Sequence, residues 1–101
     1  MKLYEGIRTE DGIVEVRVND VPLNPRFDIR RHSPTGFEFG YGGSGPAQLA
    51  LAILADALGD DELAEQHYQR FKFEKISRIE ESVWFITQAE VRRWISKILA
   101  S

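Results

Sequence analysis

The residues best suited to chemistry lie in one glycine-rich run. Four of the eight glycines fall within residues 40–45, and an apolar run that is typical of a helix follows at 47–55. The unpaired N–H groups at the start of such a helix point back into the preceding loop and favour an anion. The run therefore predicts a site that takes a phosphate, a carboxylate or a protein partner, formed by Tyr41, Gly42, Gly43, Ser44 and Gly45.

The same glycines have a purely structural interpretation. A sharp strand-to-helix turn that packs closely against the sheet leaves no room for side chains, and glycine suits such a turn. The run lacks the Gly-Lys-Ser/Thr ending of a P-loop, and its spacing departs from Gly-x-Gly-x-x-Gly. The sequence leaves both interpretations of the loop open.

Basic residues precede the loop. Arg30, Arg31 and His32 lie in residues 24–35, which we interpret as a partly extended connection. If this connection folds back over the loop, its guanidinium groups could clamp an anion bidentately. The alternative is a solvated segment balanced by Asp28. A solvated helix face explains a second basic group further along the chain, which comprises Arg70, Lys72, Lys75 and Arg78.

Catalytic and metal-binding patterns are poor. The chain has no cysteine, which excludes disulfides, thiol catalysis and thiolate metal sites. His32 and His67 are far apart, and neither belongs to a His-x-x-x-His or Glu-x-x-His pattern. An acid–base pair of Glu38 and His32 would require the two side chains to lie within hydrogen-bond reach. The sequence thus predicts a non-enzymatic protein with no catalytic residues, no metal and no cofactor.

Composition limits the partners further. The chain has 101 residues, 43% of them hydrophobic, and a net charge of −3. These values fit a single globular domain at residues 1–101. The mild acidity argues against nucleic acid as a partner, because that partner needs a basic face. There is no secretory signal and no run near the roughly 20 apolar residues of a membrane span, so we expect a cytoplasmic protein without a membrane partner.

Hydrophobic patterns indicate the strands that position the loop. Residues 3–9 read as a first strand, and Asp11-Gly12 favours a two-residue type I′ hairpin turn. Valines alternate with polar residues at 14–18, and a short edge strand follows at 21–23. We also predict a short strand at 37–39. The continuous apolar run 83–86 is typical of an interior strand covered on both faces.

Three helices complete the pattern. We predict that the first begins near residues 44–46, with Ser44 as the favoured N-cap, is buried on nearly all sides and ends at Gly59. The second runs to about Ile79, and the third begins with a capping box at 87–90. Its apolar stripe comprises Val91, Trp94, Ile95, Ile98 and Leu99. The predicted fold is α+β: a small antiparallel sheet, made of an N-terminal meander and a late strand, with three helices packed mainly on one face.

Two phenylalanines in the second helix cannot both be buried on one helix face. Phe71 and Phe73 are two residues apart, so one helix face cannot hold both rings. One of them points toward a neighbouring element or a partner. An exposed ring there, beside Tyr68, would form a contact patch. The alternative is burial of the second ring under a loop or the C-terminal helix.

The glycine-rich run and its flanks resemble the signature of an uncharacterised family. Residues 33–50 carry the likeness, with Gly-Phe-Glu-Phe-Gly-Tyr-Gly-Gly-Ser-Gly-Pro-Ala-Gln-Leu-Ala at 36–50, and it extends to 68–72 and 84–87. The family comprises small proteins of bacterial, archaeal, plasmid and phage genomes, in which tryptophan is commoner than Phe39 at that position. The resemblance implies no activity. It implies a prokaryotic setting in which small accessory proteins bind a host protein or a small molecule.

These observations support two functions. The leading hypothesis is a non-enzymatic binding module that contacts a protein partner through residues 40–46 and nearby exposed aromatic side chains. The alternative is a nucleotide or other phosphorylated small molecule at the loop, flanked by Arg30, Arg31 and His32. A catalyst that uses Glu38 and His32 ranks below both.

Overall fold

A four-stranded antiparallel sheet and three helices form the structure, a computed structural model that describes all residues from Met1 to Ser101. The strand order is β3-β2-β1-β4, and the α+β prediction is confirmed. A 3₁₀ turn at Ile76–Arg78 follows the second helix. The strands are β1 (Leu3–Arg8), β2 (Val14–Val18), β3 (Val21–Pro22) and β4 (Val83–Thr87), and the helices are α1 (Ser44–Leu58), α2 (Asp61–Glu74) and α3 (Gln88–Ala100). None of these helices has the length and apolar character needed to cross a bilayer.

The first hairpin turn differs from the prediction. Between β1 and β2 only Gly12 has a positive φ, of 82°, and its N–H donates to the Thr9 carbonyl at 2.9 Å. A type I′ turn needs two residues with positive φ, so the prediction at Asp11-Gly12 is wrong. That requirement is met between β2 and β3, where φ is 48° at Asn19 and 69° at Asp20.

The late strand lies at an edge of the sheet, and the prediction of an interior strand is wrong. β4 pairs with β1 alone, which leaves its other edge open. Trp84 faces the helices and is buried, whereas Val83 and Phe85 lie on the opposite, open face, where Phe85 is 58% exposed. Apolar side chains on both faces of the strand produced the continuous run, although only one face is covered.

The first helix is the buried centre of the fold, as predicted. Its residues from Gly45 to Ala55 are all buried, and it ends at Gly59, whose φ of 64° is left-handed. The N-cap is Gly43 rather than Ser44, and no side chain caps the helix. The preceding residues 37–39 form no strand, which corrects that prediction, although Phe39 is buried in the core.

The other helices begin with side-chain caps. The Asp60 carboxylate caps α2 by accepting from the Leu63 N–H at 3.0 Å. That helix ends at Glu74, five residues earlier than predicted, because the chain tightens into the 3₁₀ turn. The capping box of α3 is confirmed, and Val91, Trp94 and Ile95 form its buried stripe. Leu99, predicted for that stripe, is exposed near the helix end.

Candidate functional site

The glycine-rich loop precedes α1 and packs against the 3₁₀ turn that follows α2. The Gly40 N–H donates to the Ile76 carbonyl at 3.0 Å, and its φ of 88° is left-handed. A Cβ at Gly40 would lie 3.0 Å from the Ile79 carbonyl oxygen, and one at Gly45 would lie 2.6 Å from the Glu38 Cβ. Positive φ and close packing therefore explain the glycines at these two positions, so part of the run is a tight turn.

The start of α1 is open. The N-cap residue Gly43 has an extended φ of −173° and supplies no side chain, and the first turn holds no acidic residue. The amides of Ser44 and Gly45 donate to no backbone carbonyl, and Pro46 has no N–H. Unpaired amides at a helix start carry a partial positive charge. This end of α1 can therefore accept hydrogen-bond acceptors from outside the chain.

A depression of about 310 Å³ lies over this helix start. Polar groups of Thr35, Glu38 and Ser44 line it, and Ile13 and Tyr41 lie at its exposed rim. The Glu38 carboxylate accepts a hydrogen bond from Arg8, whose guanidinium also donates to the Phe39 carbonyl at 3.0 Å. The depression thus combines hydroxyl groups and free amides with a carboxylate that is already paired.

The arginines before the loop lie elsewhere. Arg30 forms an ion pair with Glu65 of α2 at 2.9 Å, and the Arg31 guanidinium lies 5.5 Å from the centre of the Phe27 ring. Neither lines the depression at the start of α1. The structure therefore does not bring these two arginines together with the glycine-rich loop.

His32 is held between α1 and α2. Its backbone N–H donates to the Gln48 side-chain oxygen at 2.7 Å, and its ring nitrogen Nε2 is hydrogen-bonded to the Tyr68 hydroxyl. Burial, together with the positive charges of Arg30 and Lys72, holds the pKa of His32 below its usual range. No direct hydrogen bond joins His32 to Glu38, which binds Arg8 instead. The acid–base pair considered from the sequence is not formed.

Exposed aromatic side chains flank the loop. Tyr41 is 51% exposed, and its ring lies 2.8 Å from where a Cβ of Gly43 would stand. Phe73 is 59% exposed, and its Cε1 lies 3.9 Å from the corresponding position at Gly42. Phe71 is buried, so the two rings do not share one buried face, as predicted, and of the two alternatives for the second ring the structure shows exposure. We call the patch of Ile13, Tyr41, Gly42 and Phe73 the loop surface.

Sequence reasoning missed Lys72, which it assigned to a solvated helix face. Lys72 is only 9% exposed, and its ammonium lies 4.4 Å from the centre of the Phe73 ring. Its position could have been inferred from its spacing, because Lys72 lies four residues from Tyr68 and four from Ile76, on the same side of the helix. Both of these residues are buried. The positive charge of Lys72 therefore lies beside the loop surface.

No three His, Asp or Glu side chains converge to hold a metal ion. No curated protein and no solved structure matches the chain with significance. The sequence model of one family matches residues 4–97, almost the whole chain. The chain therefore belongs to the family of unknown function DUF6166.

Proposed function

We propose that the chain is a non-enzymatic binding module that contacts a protein partner through the loop surface. The observation that carries this proposal is a pair of half-exposed aromatic side chains at the loop, Tyr41 beside Gly43 and Phe73 beside Gly42. Large aromatic side chains supply much contact area at low cost in conformational entropy. They are the side chains that most often dominate the free energy of protein association.

The backbone beneath these rings favours a defined interface. Gly40 is hydrogen-bonded to Ile76, and Gly45 lies in the first turn of α1, whose residues from Gly45 to Ala55 are all buried. A loop held by rigid elements presents its side chains in one geometry, which reduces the entropy lost on binding. The free amides of Ser44 and Gly45 add hydrogen-bond donors at the edge of the same surface.

A second exposed apolar patch is less suitable. The outer sheet face exposes Ile7, Val83 and Phe85. Charged residues interrupt it, because Glu5 is the register partner of Phe85 and Glu15 is the register partner of Ile7. Charged residues within an apolar patch make it less suited to an interface, because charged residues are depleted at interface cores. The outer sheet face is therefore a suitable control surface.

A phosphorylated small molecule is the second candidate ligand. Ser44 and Gly45, whose amides donate to no backbone carbonyl, are among the residues that line the depression of about 310 Å³, and a helix start of this kind favours an anion. The Glu38 carboxylate in the same depression opposes a phosphate, and no arginine lines it. A ligand at 100 times its dissociation constant stabilises a protein by about 2.7 kcal/mol, so this candidate predicts a thermal shift with nucleotides or phosphate that salt weakens.

Site-specific photo-crosslinking in cells that naturally express the chain tests the first proposal. A benzophenone amino acid replaces Tyr41 or Phe73 in turn, and replaces Phe85 on the outer sheet face as the control. We expect the same protein adduct from both loop positions and none from the control. Adducts from Phe85 alone, or none from any position, would contradict the proposal. If nucleotides also stabilise the purified protein, the second candidate is favoured.

A further inference from the structure

We propose that a recess along α3 binds a phosphate group, either as the free ion or as part of a small phosphorylated molecule. The recess has a volume of about 490 Å³, larger than the depression at the start of α1. Six of its lining residues belong to α3: Gln88, Ala89, Arg92, Arg93, Ser96 and Lys97. Met1 also lines it. We call this feature the α3 recess, and it shares no residue with the loop surface.

The first argument is the sign of the charge in the α3 recess. Three cationic residues line it, Arg92, Arg93 and Lys97, and no Asp or Glu does. Each of four other depressions of the molecule is lined by at least one carboxylate, which is Glu38 at the start of α1. A recess lined by one sign of charge raises the local concentration of counter-ions. The α3 recess is therefore the depression that attracts an anion, although the net charge of the chain is −3.

The second argument is that carboxylates of the chain do not occupy these cations. None of the ion pairs in the structure involves a cation of the α3 recess. The one acid of α3, Glu90, instead accepts from the Thr87 N–H in the capping box. Arg93 and Lys97 are four residues apart on the helix, a spacing at which like charges destabilise it. An anion bound beside both side chains relieves that repulsion.

The third argument is the fixed orientation of Arg92. Its Nε donates to the Ala57 carbonyl at 3.2 Å, and the Gln88 side-chain nitrogen donates to the same oxygen at 3.0 Å. This contact with the last turn of α1 holds the planar guanidinium in place. The two terminal nitrogens of Arg92 form no hydrogen bond within the chain. They are the nitrogens of a guanidinium that can donate to two oxygens of one phosphate.

The donor groups favour a phosphate over a carboxylate. The residues that line the recess offer two guanidinium groups, an ammonium and the Ser96 hydroxyl. A phosphate monoester carries a charge of about −1.5 to −2 and three strong acceptor oxygens, whereas a carboxylate carries one charge on two oxygens. The volume of the recess lies within the range of small-molecule sites, about 300–1,000 Å³. A nucleic-acid backbone is disfavoured, because it needs a basic surface that extends beyond one recess.

Amide chemical-shift titrations of the full chain test the inference. The probes are inorganic phosphate, adenosine monophosphate, neutral adenosine and the dicarboxylate succinate. We expect both phosphates to shift the amides of Ala89, Arg93 and Ser96, with dissociation constants of about 0.1–1 mM that rise with added NaCl. Adenosine should not bind, and succinate should bind at least about fivefold more weakly than phosphate. The tighter of the two phosphates identifies the ligand as a phosphate ester or as the free ion.

Four results of these titrations would overturn the inference. They are binding of neither phosphate, equal binding of adenosine, equal binding of succinate, and shifts confined to Ser44 and Gly45, which would place the phosphate at the start of α1. A single-stranded oligonucleotide of about ten nucleotides is the last probe. If it binds more than about tenfold more tightly than adenosine monophosphate, the recess belongs to a nucleic-acid surface instead.

Matched variants assign the binding to the α3 recess. Arg93→Gln combined with Lys97→Gln removes two exposed charges and leaves the buried stripe of α3 intact, so the variant should fold. We expect it to bind both phosphates at least about tenfold more weakly. Lys75→Gln combined with Arg78→Gln removes the same charge from exposed residues outside the recess and should stay within about twofold of the wild type. Unchanged binding in the first variant, or equal losses in both, would overturn the inference.

The α3 recess and the proposed function can fail separately. Crosslinking from Tyr41 and Phe73 tests the loop surface and does not depend on whether phosphate binds. A thermal shift with phosphate is assigned by the variants. A shift lost in Arg93→Gln combined with Lys97→Gln belongs to the α3 recess. A shift retained in that variant would support the site at the start of α1 and overturn the inference.

Discussion

Two helices of this protein begin in opposite ways. At the start of α3 the Thr87 hydroxyl accepts from the Glu90 N–H at 3.1 Å, and the Glu90 carboxylate accepts from the Thr87 N–H at 3.3 Å. At the start of α1 the cap residue is Gly43, and no side chain fills that role. The uncapped helix is the more deeply buried of the two, so packing against the sheet and α2 stabilises it. Packing therefore makes up for the missing cap, and the first amides of α1 stay without a side-chain acceptor.

The largest loss of stability is expected from a substitution at Gly45, in the first turn of α1. A Cβ there would lie 2.6 Å from the Glu38 Cβ, so Gly45→Val forces the 37–39 segment away from α1. Overpacking of this kind costs about 1–3 kcal/mol, which denaturant unfolding will measure. Gly42→Ala is the control, because its Cβ meets only Phe73, at 3.9 Å. Equal losses from both variants would contradict the tight packing at Gly45.

Removal of the N-cap of α3 should lower the free energy of unfolding. Thr87→Ala deletes the hydroxyl that accepts from the Glu90 N–H. The expected loss is about 1 kcal/mol in the free energy of unfolding, as for other N-cap replacements by alanine. Thr87→Ser keeps the hydroxyl and serves as the control. An unchanged midpoint in Thr87→Ala would show that the capping box contributes nothing to stability.

A fall in pH should lower the free energy of unfolding through His32, which lies between α1 and α2. Burial and the charges of Arg30 and Lys72 lower the pKa of His32 in the folded state, so the neutral ring is favoured there. The associated stability is present above the unfolded pKa of about 6.5 and is lost as pH falls from there toward the folded pKa. Unfolding of wild type and His32→Gln at pH 7.5 and at about pH 5 measures the difference. We expect a smaller acid-induced loss in the variant, and equal losses would contradict the shift.

A side-chain N-cap introduced at the start of α1 should change stability and binding in opposite directions. Gly43→Asp introduces a carboxylate that can cap α1, which raises stability by only a few tenths of a kcal/mol over glycine. Its Cβ would lie 2.8 Å from the Tyr41 ring, so the ring must move. We expect folding to be retained and crosslinking from Phe73 to be reduced. Unreduced crosslinking would show that the position of Tyr41 does not matter.

The smallest effect is expected at Ser44. This residue follows the N-cap, and its side chain makes no capping bond. Ser44→Ala should therefore change the free energy of unfolding by less than about 0.5 kcal/mol. A loss near that of Thr87→Ala would mean that Ser44 caps α1 after all.

Local patterns were sufficient to predict much of this fold. The valine alternation in β2, the buried character of α1 and the Thr87–Glu90 spacing depend on neighbours within a few residues. The cap of α1 was misplaced by one residue, because serine is a preferred N-cap and nothing local shows that Gly43 takes that role. The edge position of β4 depends on strand order, which the apolar run 83–86 does not encode.

The candidate site was harder to predict, because it depends on long-range contacts. The loop could be found from its glycines, and the spacing of Phe71 and Phe73 excluded one shared buried face but did not decide whether the second ring is exposed. The pairing of Arg30 with Glu65 joins residues 35 positions apart, so sequence could not exclude that arginine from the loop. Burial of Lys72 depends likewise on what packs around the end of α2.

The most direct test uses the crosslinked protein, identified and purified, in calorimetric titrations against three forms of this chain. We predict that Tyr41→Ala combined with Phe73→Ala weakens binding by more than about 30-fold, which corresponds to a loss of about 2 kcal/mol. Val83→Thr combined with Phe85→Thr, on the outer sheet face, should stay within about twofold of the wild type. The reverse pattern, with binding lost only in the outer-face variant, would contradict the assignment of the loop surface as the binding site.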